Sequence, residues 1–173
     1  MRTGGENTVV GGPNPGEGNV IAFNDETGIW VLDNSTDNNL ISGNSIFSNG
    51  GLGIDVRSSG VNPNDPGDVD TGPNEELNFP VISSATEAGG TVNVTFDLDV
   101  PANPDQYRVE FFSNPSGTDG SGYGEGETFV SATTTAPGTG LTHTFTGSTG
   151  DVITATATRI DAGASTGFAS TSE

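Results

Sequence analysis

Cysteine is absent from the 173 residues of this chain. Disulfides, zinc–thiolate sites and thiol nucleophiles are therefore excluded. Lysine is absent too, which removes Schiff-base chemistry and any lysine–asparagine isopeptide cross-link. Positive charge is scarce: four basic residues, all arginine, face 23 acids, for a formal net charge of −19. The acids divide evenly about Asn78, with 12 before it and 11 after, so the charge is not confined to a tail. Such a surface repels nucleic acid and anionic lipid, both of which are recognised through basic patches. It favours solubility and cation binding, and a salty or calcium-rich exterior would screen its self-repulsion. No apolar run is long enough to span a bilayer, so no membrane insertion is expected. The opening MRTGGENT lacks the apolar core of a signal peptide. Met1 fits an added start codon, and an export leader for an extracellular or surface protein would have to precede it.

Helical periodicity of 3.6 residues is also missing, while Val, Ile, Phe and Leu alternate with polar residues along most of the chain. Residues 19–32, NVIAFNDETGIWVL, and 44–57, NSIFSNGGLGIDVR, repeat at an offset of 25. Asn19 falls on Asn44, Ile21 on Ile46, Asn24 on Asn49, Gly28 on Gly53, Ile29 on Ile54 and Val31 on Val56. An earlier partial copy aligns Asn7–Gly11 with Asn39–Gly43, with Pro13–Gly18 as an inserted loop. A period of this size with short alternating strands signals a solenoid. Inward Ile and Val should stack into columns. Corner Asn residues should stack into a ladder, helped by tolerance of left-handed backbone angles. Such coils need about three repeats for a stable core, so the open ends must be covered by further coils, the rest of the chain or another copy.

Residues 61–78, VNPNDPGDVDTGPNEELN, read as a loop rich in Pro and acids. From Phe79 the strands lengthen: FPVISSAT, GTVNVTFDLDV, QYRVEFFSN, TFVSATTT, LTHTFTG, DVITATATRI and STGFAST. Seven strands separated by Gly- and Pro-rich turns predict an antiparallel sandwich. The expected fold is all-β: about two coils of right-handed parallel β-helix over 1–60, an acidic junction loop over 61–78, and an immunoglobulin or fibronectin III-like β-sandwich over 79–173.

The coil half resembles the right-handed parallel β-helix repeats of secreted pectate-lyase-like and copper-site-maturation proteins. The string from "NDPGDVDTGPNEELNFPVISSA" through "YRVEFFSNP" and "GYGEGETFV" to "GDVITATATRIDAGASTGFAS" resembles a module of large secreted or surface bacterial proteins. There, β-helix repeats lead into an Ig-like sandwich. The resemblance implies an extracellular or cell-surface location and a structural or adhesive role.

The acidic loop is the leading candidate site. Asn64, Asp65, Asp68, Asp70, Glu75 and Glu76, with Asn62 beside them, offer oxygen ligands of the kind calcium takes. The alternative reading is a solvated acidic linker. Asp119, Glu125 and Glu127 read as a polar hairpin loop or a second cation site. Trp30, outward by alternation with Ile29 and Val31, and Tyr123 are candidates for a ligand or packing platform. A carbohydrate-binding accessory module is the alternative function, with polysaccharide as its partner. Catalysis is not expected. Asp25, Asp33 and Asp55 are acids in the coil half, but Arg57 is its only arginine after Arg2, and the lyases and hydrolases of the resemblance use a basic residue. His143 reads as a surface strand residue. Self-association by head-to-tail stacking of coil ends, which does not close and so builds a fibre, is a further expectation.

Overall fold

The computed structural model describes residues 2–3, 5–102, 106–147 and 151–173; Met1 lies outside them. The fold is all-β. The first part holds seven short strands: β1 (Arg2–Thr3), β2 (Val9–Gly11), β3 (Val20–Ala22), β4 (Ile29–Val31), β5 (Leu40–Ser42), β6 (Ser45–Phe47) and β7 (Ile54–Val56). All pair in parallel, β4 between β1 and β7, β2 with β5, and β3 with β6. The offset of 25 is the structural register: Ile21 lies beside Ile46, Ile29 beside Ile54 and Val31 beside Val56. Stacking like on like drives these side chains into one buried apolar cluster with Val10 and Ile41. The short strands add little backbone pairing, so burial of this column is their main stabilisation.

The register of β2 differs from the sequence alignment by one residue. Val9 lies beside Leu40, Val10 beside Ile41 and Gly11 beside Ser42, an offset of 31. The reason is facial. A one-residue slip exchanges the two faces of a strand, and an offset of 32 would set inward Val10 against Ser42. At 31, Val10 and Ile41 are both buried. The excess over 25 is six, the length of the Pro13–Gly18 insertion.

The asparagine ladder is present, and hydrogen bonding is what makes it. Asn44 Oδ1 accepts from Asn19 N and Nδ2, each at 3.0 Å, while Asn44 Nδ2 donates to Val10 O at 2.8 Å. Asn49 Oδ1 accepts from Asn24 Nδ2 at 2.7 Å, and its own Nδ2 donates to Ile21 O at 3.1 Å. At Asn24, Asn44 and Asn49 the left-handed residue is the one before, Phe23 (φ 59°), Gly43 (φ 65°) and Ser48 (φ 54°), whereas Asn7 (φ 57°) and Asn38 (φ 59°) are themselves left-handed.

The second part holds β8 (Val81–Ala88), β9 (Thr91–Leu98), β10 (Tyr107–Asn114), β11 (Thr128–Thr135), β12 (Gly138–Thr146), β13 (Val152–Ile160) and β14 (Phe168–Thr171). They form two antiparallel sheets, ordered β11-β10-β13-β14 and β12-β9-β8. Alternation turns Val92, Val94, Phe96 and Leu98 of β9 inward to meet Tyr107, Val109 and Phe111 of β10. His143 is half-buried rather than a surface residue. Its ring stacks on Phe111 with centroids 5.2 Å apart, and Nε2 meets Ser131 Oγ at 2.9 Å. Burial lowers its pKa, so the neutral ring is favoured in this apolar setting.

The β11-β10-β13-β14 sheet has a second face, turned to the parallel strands, and it closes one end of them. Ile46 forms an antiparallel bridge with Gly126. Thr171 N donates to Asn39 O, and Thr171 Oγ1 accepts from Ile41 N. Fully buried Glu110 accepts from Ser42 Oγ at 2.7 Å, Gly43 N at 3.0 Å and Arg108 Nε at 2.9 Å. This end of the parallel strands is thus covered by the chain itself. At the opposite end Val20 and Phe23 are exposed.

Candidate metal centre

The junction loop is built by asparagines. Asp65-Pro66-Gly67-Asp68 is a tight turn in which Pro66 presets its own φ and Gly67 takes φ 76°, with Asp68 N donating to Asp65 O at 3.3 Å. Asn78 holds that turn from inside. Its Nδ2 donates to Asp65 O and Asp99 O, its Oδ1 accepts from Asp65 N, and its own N donates to Asp68 Oδ1 at 2.7 Å. Asn64 exchanges two hydrogen bonds with the backbone of Phe79. These contacts draw Asp65, Asp68 and Asp70 together, with one carboxylate oxygen of each within 4.8 Å of the others.

The carboxylates strain against one another. Burial, and then the charges of Asp70, Asp65 and Glu75, push the Asp68 carboxyl up to about 6 against the pull of the Asn78 amide. Burial raises Asp70 too, with Asp65 and Glu76 adding and Arg57 opposing. Asp65 Oδ1 is buried with no hydrogen-bond partner among the described residues. Three hard oxygen donors, with no cation beside Asp68 among the described residues, suit a divalent ion, which would neutralise the repulsion. Calcium takes six to eight oxygens, so backbone carbonyls and water would complete its shell.

The other three residues read as ligands are held elsewhere. Both amide atoms of Asn64 are taken by Phe79. Glu75 pairs with Arg159 at 2.7 Å and Glu76 with Arg57 at 2.8 Å. Through these pairs two of the chain's few arginines are drawn to the junction and fasten it, while Glu75 Oε2 stays buried with no hydrogen-bond partner among the described residues. The turn Pro73–Glu76 has left-handed residues at Asn74, Glu75 and Glu76. Asn74, fully buried, donates to Asn39 O and Thr171 O and accepts from Asn39 N. Asn39, Asn74, Asn78 and Glu110 were not singled out from sequence. The available signal was the density of Asn around the junction, which marks side chains able to replace backbone partners.

Trp30 and Tyr123 occupy different places. Trp30, half-buried, lies on β4 beside Asp55 in register. Tyr123 stands 57% exposed, edge-on to Phe79 with ring centroids 6.0 Å apart, at the rim of a cleft that Trp30 does not line. The loop carrying Tyr123 is anchored rather than free. Glu125 Oε1 accepts from Asn49 Nδ2 at 2.6 Å, extending the ladder, and Glu127 O accepts from Ser45 Oγ. Asp55 is 1% exposed beneath Thr27 Oγ1 and Gly60 N, and burial raises its pKa.

No protein-family model matches the chain. Comparison with curated proteins finds no match, and comparison with solved structures finds none. No helix among the described residues is long and apolar enough to cross a membrane.

Proposed function

We propose that this chain is a non-catalytic structural module of an extracellular or surface protein, in which calcium stiffens the joint between two packed units. In this reading the parallel strands are about two coils of right-handed β-helix. The seven antiparallel strands are an Ig-like sandwich that serves as their cap. The work of the module is mechanical: to end a coil stack and to hold the following unit at a set angle. The observation that carries the reading is the convergence of Asp65, Asp68 and Asp70 in the loop that joins the two parts. Two ion pairs and the Asn74 contacts fasten the same loop to both sides. A divalent ion there would remove repulsion from the segment that transmits force between them.

The test is the thermal melt of the chain in millimolar calcium against chelator, with magnesium as control. An ion held at about 100 times its dissociation constant stabilises by about 2.7 kcal/mol. For a chain of this size that is a shift on the order of 5 °C. The reading requires a calcium-specific shift that is abolished in the double variant Asp68→Asn/Asp70→Asn. An equal melt in calcium and chelator reduces the loop to a solvated linker.

A further inference from the structure

The two apolar clusters do not meet everywhere. Between the second face of the β10–β13 sheet and the parallel strands lies a cleft of about 340 Å³. Protein interiors hold few voids larger than a water molecule, and this volume falls in the range of small-ligand sites. Ile46 and Ile54 form one wall, and Phe112, Thr154 and Thr156 the other. Its mouth carries three of the molecule's exposed large apolar residues, Val81 (49%), Tyr123 (57%) and Val152 (39%).

The polar groups around the cleft select its occupant. Glu173 and Glu125 lie at its edges, and both carboxylates are already hydrogen-bonded. Glu173 accepts from Val56 N and from Asn62 N and Nδ2. Glu125 accepts from Asn49. Burial pushes the Glu173 carboxyl up to about 7, so this environment disfavours charge. An anion would meet both carboxylates at close range. Thr156 adds no reachable polar group: the residue lines the cleft, but its hydroxyl oxygen is shielded from it.

We propose that this cleft binds a small, uncharged, mainly apolar molecule, held against Phe79, Phe112 and Tyr123. The site is independent of the acidic junction and stands whether or not that loop binds a metal.

Fluorescence titration of the intact chain tests it, with Nile red as the neutral probe and anilinonaphthalene sulfonate as the anionic one. Saturable binding of one Nile red per chain is expected, with the anionic probe at least tenfold weaker. Thr156→Phe, which fills the cleft, should weaken Nile red at least tenfold. Should Thr156→Phe fail to melt cooperatively, Tyr123→Ala at the exposed rim replaces it, and a several-fold loss is expected. No saturable Nile red binding, equal affinity for the anionic probe, or unchanged affinity in the cleft-filling or rim variant would overturn the proposal.

Discussion

Asn74 and Asn39 pair as two strands would, but with one side chain doing the work of a backbone. Asn74 Oδ1 accepts from Asn39 N and Asn74 Nδ2 donates to Asn39 O, both at 3.0 Å. The same Nδ2 donates to Thr171 O at 2.9 Å. One buried amide thus joins the junction loop, β5 and β14, three segments far apart in sequence.

Removing that amide leaves the Asn39 N–H and two carbonyls buried without it. Asn74→Gly, which keeps the left-handed backbone (φ 51° in the native chain), should cost about 2–4 kcal/mol. Asn74→Ala should cost about 1 kcal/mol more, because alanine is strained in that region. Urea unfolding of both variants measures the order. An alanine variant as stable as the wild type would mean that other groups carry the joint.

Glu110 ties the sheet to the parallel strands through Ser42 and Gly43, with Arg108 of its own strand as its ion-pair partner. Truncation to alanine should cost about 3–5 kcal/mol, the range for breaking a buried ion pair. Glu110→Gln keeps one acceptor and should lie between alanine and wild type. Hydrogen exchange at Gly43 N–H, which donates to this carboxylate, should rise sharply in the alanine variant and modestly in glutamine.

Acid should stabilise the metal-free chain. Asp68 titrates at about 6 and Glu173 at about 7 in the folded state, both raised above their ordinary values of 3.8 and 4.5. The folded chain therefore binds these protons more readily than the unfolded one, and stability rises as pH falls through 7 toward 5. Asp65, Asp70 and Glu75 face Asp68, and Asp55 faces Glu173, so relief of repulsion acts in the same direction. Melts in chelator at pH 8, 7, 6 and 5 should climb, with a smaller climb in Asp68→Asn and in Glu173→Gln. In calcium the added stabilisation should shrink over the same window, because protons compete for Asp68.

Gly50 is required by close approach rather than by backbone angle. A Cβ built there would lie 2.1 Å from Asp25 O on the neighbouring repeat. The strands cannot keep their spacing around it, so Gly50→Ala should destabilise by about 1–3 kcal/mol. Gly120, around which nothing lies within 4 Å, is the control, and its alanine variant should melt with the wild type. Equal melts for both variants would mean that the parallel pairing relaxes freely.

The repeat of the first part was legible because it is local. The key inward and corner positions recur 25 apart with the same residues, so alternation and identity together set the columns Ile21–Ile46, Ile29–Ile54 and Val31–Val56. The ladder followed from Asn19, Asn24, Asn44 and Asn49 by the same reasoning. The seven later strands were legible from alternation between turns, and the junction from its prolines and acids. The copy at β2 was misaligned by one residue because an inserted loop separates it, and facial burial, not identity, chose the register.

What the sequence determined alone was therefore the positions of most strands and the stacking partners of the exact 25-residue repeat, since both follow from spacing along the chain. Which arginine answers which acid, which end of the parallel stack is covered, and which three of six candidate ligands converge were decided by tertiary structure. Those outcomes depend on contacts such as Ser42–Glu110, Asn39–Thr171 and Glu75–Arg159, between residues 68 to 132 positions apart. Pairings at such separations leave no periodic trace in a sequence. They exist only once packing has fixed where each segment lies.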